Sequence, residues 1–354
     1  MAQKPSLATS DWLNLAKTLA ITTATLVLSS VTAPFRGTSG ASTYKRHVIY
    51  TVMKAFTRNA SVRGTQALSP TTVEAYQKFV KSKSLTPDVV DLSEGAKGCW
   101  LGDKGKGTVL LWFHGGGYAL MANAGHFQLG WDLIQSAREK GRDLSCFYLQ
   151  YDVAPGATYP TQLKQAVAAI NHLIEVESVP LSRIILGGDS AGGNLSLAVL
   201  SHISHPHPEA SPVHNKDRFK GVVLVSPWVT FDQTASSMKS NAGKDLLDLV
   251  TLRKWSDNFM AGTDLDFYNT PLTAGEDWWE GIAASEIAVI AGGDEIFVDD
   301  IRCFVEKLKK HQEGKFTYVE IKGEAHDAPI LDYMFKLSHG EQKRAIDTWI
   351  LERV

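Results

Sequence analysis

The chain has 354 residues, 44% of them hydrophobic and 21% charged, the range of an ordinary globular protein, which excludes a collagen-like repeat, a disordered tail protein and a polytopic membrane protein. At ~100–200 residues per domain, this length holds one large α/β domain with insertions or two smaller domains. With 36 Lys+Arg against 38 Asp+Glu and no basic stripe interleaved with aromatics, the chain carries no footprint for nucleic acid.

The first feature in chain order is an uncharged run over residues 18–35, just long enough to span a bilayer. Thr22, Thr23, Thr25, Ser29, Ser30 and Thr32 dilute its Leu, Ile and Val content. Two expectations stand side by side: a buried or amphipathic helix, and a single membrane anchor. Asp11, Trp12 and Lys17 precede the run where a cleaved leader would be short and basic, which disfavours a signal peptide. The endoplasmic reticulum membrane and the cytoplasm both remain open as compartments. Cys99, Cys146 and Cys303 are too widely spaced to form a framework, so they leave the redox compartment undecided.

From Tyr44 to about Lys83, apolar residues at helical spacing (Val48, Val52, Ala55, Phe56, then Val73, Tyr76, Phe79, Val80) predict small helices. Residues 1–95 therefore form an N-terminal helical segment. Short apolar runs follow at Thr108 to Phe113, Cys146 to Tyr151, Ile184 to Leu186, Val222 to Val225, Ile287 to Ile290 and Phe316 to Ile321. Helical stretches separate them, notably 162–176 and 191–203. This alternation predicts a mostly parallel, doubly wound α/β sheet with helices on both faces. Between Pro227 and about Trp279 the alternation stops. The core is thus expected in two parts, 96–227 and 280–354, with an insertion at 228–279 over the carboxyl ends of the strands, where ligands bind in such folds.

Gly188-Asp189-Ser190-Ala191-Gly192 lies between a strand and a helix, the setting that G-x-S-x-G requires. A serine on so sharp a turn needs glycine two residues to either side, because larger side chains clash. The competing role for Ser190 is a helix N-cap. His114-Gly115-Gly116-Gly117-Tyr118 follows the first run of the apolar series. Its glycines let the N–H groups of Gly116 and Gly117 face a developing oxyanion, with Ala191 N–H as a further donor. A phosphate loop would instead carry G-x-G-x-x-G or G-K-[ST], which are missing here.

A serine nucleophile of this kind is followed in the chain by its acid and then its histidine. Of His311, His326 and His339, only His326 directly follows a predicted strand and turn. The histidines from His202 to His214 are expected at the surface, where no carboxylate–histidine pattern fixes a metal geometry. The acid is expected just after the strand Ile287 to Ile290, where Asp294 and Glu295 compete.

Together with Tyr151-Asp152-Val153-Ala154-Pro155, Tyr159-Pro160, Gly193-Asn194 and Ser226-Pro227-Trp228, these motifs make the sequence resemble the hormone-sensitive-lipase-type branch of the α/β-hydrolase fold. It is similar in particular to fungal members of the steryl acetyl hydrolase kind. In that family the acid opens a D-x-L-x-D segment, and counting back four from Asp299 favours Glu295 over Asp294. Gly156 departs from the Glu usual after Ala-Pro. The resemblance implies a helical cap built from the N-terminal helices and the Trp228 to Tyr268 insertion, with Tyr118, Trp228, Trp255 and Phe259 expected to bind substrate.

The implied function is a serine carboxylic-ester hydrolase acting on a small hydrophobic ester with a short acyl group, such as an acetylated sterol or secondary metabolite. It implies no metal and no organic cofactor. Activity is expected to rise with pH through about 6–7, where imidazole becomes neutral. Acyl transfer or amide hydrolysis on the same triad, and a non-hydrolytic binding scaffold, are the alternatives. Membrane association would run through residues 18–35, and the oligomeric state is not legible.

Overall fold

Strands buried on both faces are apolar throughout, and successive side chains enter opposite layers. In a computed structural model describing residues 4–105, 107–214, 217–311 and 316–354, this pattern builds one eight-stranded sheet. Its strands are β1 (Asp88–Asp91), β2 (Lys97–Leu101), β3 (Thr108–Phe113), β4 (Leu144–Gln150), β5 (Ile184–Asp189), β6 (Gly221–Val225), β7 (Ile287–Gly292) and β8 (Phe316–Ile321). Their order is β1-β2-β4-β3-β5-β6-β7-β8. From β4 to β8 every pairing is parallel, whereas β1 and β2 pair antiparallel at one edge. Every residue of β3, β5, β6 and β7 is buried.

The helices in chain order are α1 (Thr9–Thr32), α2 (Tyr44–Asn59), α3 (Val62–Leu68), α4 (Thr72–Ser82), α5 (Ala124–Glu139), α6 (Thr161–Glu175), α7 (Ala191–Ser204), α8 (Ser237–Ser240), α9 (Leu249–Met260), α10 (Val298–Lys310), α11 (Ala328–Phe335) and α12 (Glu341–Leu351). Leu110, Trp112, Ile185, Val223 and Ile290 share one core with Phe127 and Leu133 of α5 and Ile346 and Ile350 of α12. Their strand neighbours Val109, Leu111, Leu186, Leu224 and Val289 share the other core with α6, α7 and α10. The period of two therefore divides each strand between two helical layers.

All six expected strands are present. β1 at the sheet edge and β2 beside it carry no apolar-run signal: Asp88, Asp91 and Lys97 interrupt it, and their order comes from pairing. Helix starts follow capping chemistry. Thr43 Oγ1 accepts from Arg46 N at 3.2 Å, Asp248 Oδ1 accepts from Thr251 N at 2.9 Å, and Thr71 and Glu74 form a capping box.

Two expectations need correction or narrowing. His202 and His207 are buried, not at the surface, because the His202 ring lies 2.9 Å from Ser211 O through Nε2 and accepts from His207 N at 3.0 Å through Nδ1. The ring holds the following loop in place. The N-terminal run lies in helix α1, which buries Leu15, Thr18 and Ser29, and ends in a 3-10 turn over Ala33–Phe35, where Ala33 is buried. The helix is tied along α2 at both ends, by Asn14 Nδ2 donating to Asn59 O at 3.0 Å and Tyr44 OH donating to Ser30 O at 3.0 Å.

Candidate active site

Ser190 sits between β5 and α7 with φ 52° and ψ −115°, a left-handed conformation unusual for any residue but glycine. A Cβ added to Gly188 would lie 2.3 Å from Gly192 O, and one on Gly192 would lie 1.9 Å from Phe113 O. Only glycine fits at either place, which is the steric demand the motif implied. Ser190 N donates to Val225 O at 2.9 Å, and Trp228 N donates to Ser190 O at 3.0 Å, so β6 and the loop after it grip the turn. The hydroxyl makes no capping bond to α7, which weighs against the N-cap role.

The loop after β3 faces this turn. Gly116 and Gly117 have φ of 101° and 62°, and the N–H groups of Gly116, Gly117 and Ala191 meet no acceptor among the described residues. The loop is held from two sides. Gln66 of α3 donates through Nε2 to Ala119 O at 2.8 Å and to Ala154 O at 2.7 Å. Asp189 accepts from Gly115 N at 2.9 Å and Trp112 Nε1 at 2.8 Å, and its Oδ2 lies 3.2 Å from His126 Nε2. Burial opposes the charge on Asp189, yet the neighbouring His126 holds its carboxyl below the usual range. Burial also lowers His114 to about 4, with His126 adding to the effect. Gln66 and His126 belong to no local motif, so nothing in the sequence marks either.

Glu295 follows β7 and His326 follows β8. Glu295 Oε2 stands 2.9 Å from His326 Nδ1, while Glu295 Oε1 accepts from Gly292 N at 2.9 Å. Asp294 turns away to pair with Lys244 at 3.1 Å. The structure thus brings Glu295, and not Asp294, to the histidine. Burial raises the Glu295 carboxyl against the pull of His326. For His326, burial disfavours the charge, but Asp327 and Glu295 together carry its pKa well above the ordinary value.

Ser190 and His326 line one cavity of about 130 Å³ with Gly116 and Trp255. Its walls also take Met53 and Thr57 from α2, Leu246 and Leu247 from the 228–279 insertion, and Ile330, Leu331 and Met334 from α11. Trp255 closes on the glycine loop so tightly that a Cβ on Gly117 would fall 2.1 Å from its Cε3. Tyr118, Trp228 and Phe259 do not line this cavity. Tyr118 is stacked on Phe259 at 3.8 Å and donates to Asn194 Oδ1 at 2.7 Å, while Trp228 packs on Phe231 at 4.7 Å. All three sit in the core. Larger clefts of about 500 and 480 Å³ lie elsewhere and include none of Ser190, Glu295 and His326.

A family model described as alpha/beta hydrolase fold matches residues 110–330. The chain is 30% identical over 208 residues to an acetyl-hydrolase of Streptomyces hygroscopicus, covering 58% of this chain and 62% of that protein. It is 26% identical over 246 residues to steryl acetyl hydrolase 1 of Saccharomyces cerevisiae, covering 64% of this chain and 55% of that one. It thus spans less than two thirds of either relative. Among solved structures, carboxyl esterase 2 of the mycorrhizal fungus Tuber melanosporum matches with a TM-score of 0.62 at 20% identity, over 75% of this chain and 85% of that one. A hormone-sensitive lipase from a metagenome library matches with a TM-score of 0.64 at 19% identity, over 89% and 99% of the two chains. These structures share the fold. The location of the strained serine turn, the glycine loop and the Glu295–His326 pair at the carboxyl ends of β5, β3, β7 and β8 agrees with the family match, and the chain belongs to the alpha/beta hydrolase family.

Proposed function

We propose that the protein is a serine carboxylic-ester hydrolase. Ser190 is the nucleophile, His326 the general base and Glu295 the acid that holds the imidazole tautomer. Above all, the Glu295–His326 contact of 2.9 Å, reaching the same cavity wall as Ser190 on its strained turn, supports this function. In the reaction His326 Nε2 takes the Ser190 proton as Oγ attacks the ester carbonyl. The carbonyl oxygen becomes an oxyanion that accepts from the N–H groups of Gly116, Gly117 and Ala191. Losing one such donor typically costs ~3 kcal/mol in the transition state. The C–O bond to the alcohol then breaks, and His326 returns the proton to the leaving oxygen. Water next attacks the acyl-enzyme, giving its proton to His326, and Ser190 is regenerated with release of the acid.

The substrate is a small hydrophobic ester with a short acyl group. The narrow, largely apolar cavity supports this, as does the likeness to an acetyl-hydrolase and to a steryl acetyl hydrolase. Helix α2 within residues 1–95 and the 228–279 insertion together form the cap over a core of 96–227 and 280–354, which β1 (Asp88–Asp91) joins at its edge; the cavity residues that α2 and the insertion supply support this division. Membrane association through residues 18–35 belongs to the same proposal. It is supported by a mean hydropathy of 1.4 over an 18-residue window of the N-terminal helix and by its exposed apolar side chains.

The test is turnover of p-nitrophenyl acetate and p-nitrophenyl octanoate by the full chain in detergent, beside Ser190→Ala. The expected result is faster turnover of the acetate and labelling by a fluorophosphonate probe, both abolished in a Ser190→Ala protein that melts at the wild-type temperature. A folded wild type that neither turns over these esters nor takes the label overturns the proposal.

A further inference from the structure

The His326 ring is bracketed by two carboxylates. Glu295 holds Nδ1, and on the other side Asp327 Oδ2 lies 3.2 Å from Nε2. Nε2 is the atom that must take the Ser190 proton in the function proposed above. No hydrogen bond joins Ser190 to His326 among the described residues, although both line the same cavity, as does Asp327. Two groups therefore contend for one nitrogen.

Asp327 is not placed there for its helix. It precedes α11 at the N-cap position, where an Asp side chain ordinarily accepts from the helix N–H groups, but it makes no capping bond. Its backbone is left-handed, with φ 48° and ψ 33°, a conformation that Asn and Gly take at least as readily. The residue is 9% exposed, and Oδ1 has no hydrogen-bond partner among the described residues. A buried carboxylate left half-satisfied is a net cost to folding. Among the described residues, the one polar partner of its side chain is the histidine.

We infer that Asp327 is a positioning residue that competes with Ser190 for His326 Nε2 and sets the pH at which the base becomes free. This rests on His326 being the base. The charged groups around the pair come from every side: Glu295 from the loop after β7, Asp245 from the insertion, Asp189 at the end of β5 and His126 on α5. Acidic groups outnumber basic ones among them. Burial, first, and then Asp189 push the Asp327 carboxyl up to about 7 against the attraction of His326, and the histidine is raised in turn. The two groups give up their protons as a coupled pair. Once Asp327 is ionised it stabilises the imidazolium, so the neutral base appears only at higher pH. Activity then rises above the pH 6–7 window expected of an ordinary histidine.

Asp327→Asn and Asp327→Gly remove the charge while suiting the left-handed backbone. The experiment is the pH profile of kcat/KM for p-nitrophenyl acetate, followed at the nitrophenol isosbestic wavelength, with melting temperatures for each protein. An opposite charge at this range moves a pKa by about 1–3 units. The acid limb is therefore expected to move down by about one unit or more in both variants, and fluorophosphonate labelling near pH 6 to quicken about tenfold relative to each protein's plateau. An unmoved acid limb in a folded variant, beside an active wild type, overturns the inference and leaves the hydrolase intact. Unfolding of both variants would show a structural role and also overturn it. A wild type without turnover or labelling removes the hydrolase proposal itself.

Discussion

Arg46 on α2 donates through Nη2 to Asp332 Oδ2 on α11 at 2.9 Å, joining residues 286 apart across a buried interface. Arg46 also donates to Tyr50 OH and Ser338 O. The contact pins the N-terminal helical layer to the helix that begins two residues after His326. Burial raises the Asp332 carboxyl to about 6 even against the guanidinium.

Breaking this pair strands a buried charge, which typically costs about 3–5 kcal/mol, whereas an apolar replacement of both partners is often neutral. Arg46→Met and Asp332→Leu alone should each lower the urea unfolding midpoint by the equivalent of that amount. The double variant should recover most of the loss. If the singles melt like wild type, the pair does not tie the two layers together.

The two carboxylates after β7 should separate cleanly in kinetics. Glu295→Gln keeps the shape of the side chain but presents an amide to His326 Nδ1, so the imidazole is held in the wrong tautomer and kcat falls about 10⁴-fold, the size seen for such a change in a serine protease. Asp294→Asn touches only the partly exposed pair with Lys244 and should leave kcat within about twofold. Measured kcat values in the reverse order would reassign the acid.

The outer face of α1 carries Leu19, Val27, Leu28 and Val31, each more than half exposed at 55%, 62%, 65% and 66%. Replacing all four by Gln touches no buried side chain, so ester turnover and melting temperature should hold. Sedimentation of the full chain with phosphatidylcholine vesicles should be lost in the same variant. Equal sedimentation of the two proteins would remove membrane association through this helix.

Much of the fold was legible because its cause is local. Strands β3 and β6 are unbroken apolar runs, and Gly188 and Gly192 flank a turn whose steric demand can be stated from five residues. His326 could be picked from three late histidines by its position after a strand. Strands β1 and β2 are not legible in the sequence because Asp88, Asp91 and Lys97 erase the apolar signal that the parallel strands carry. The family resemblance implies that Tyr118, Trp228, Trp255 and Phe259 meet substrate. Of the four, Trp255 lines the cavity with Ser190, whereas Tyr118 and Phe259 stack on each other and Trp228 packs on Phe231, away from it.

Local sequence was enough for the alternating elements, the serine turn and the glycine loop, since short-range sterics and apolar periodicity act within a few residues. The family pattern favours Glu295 over Asp294, but the contact of Glu295 with His326, the reach of Gln66 to Ala119 and Ala154, and the approach of Asp327 to His326 Nε2 are products of tertiary structure. Strand register and rotamer choice aim these side chains, and both are set by packing between segments that lie tens of residues apart or, for Arg46 and Asp332, at nearly opposite ends of the chain.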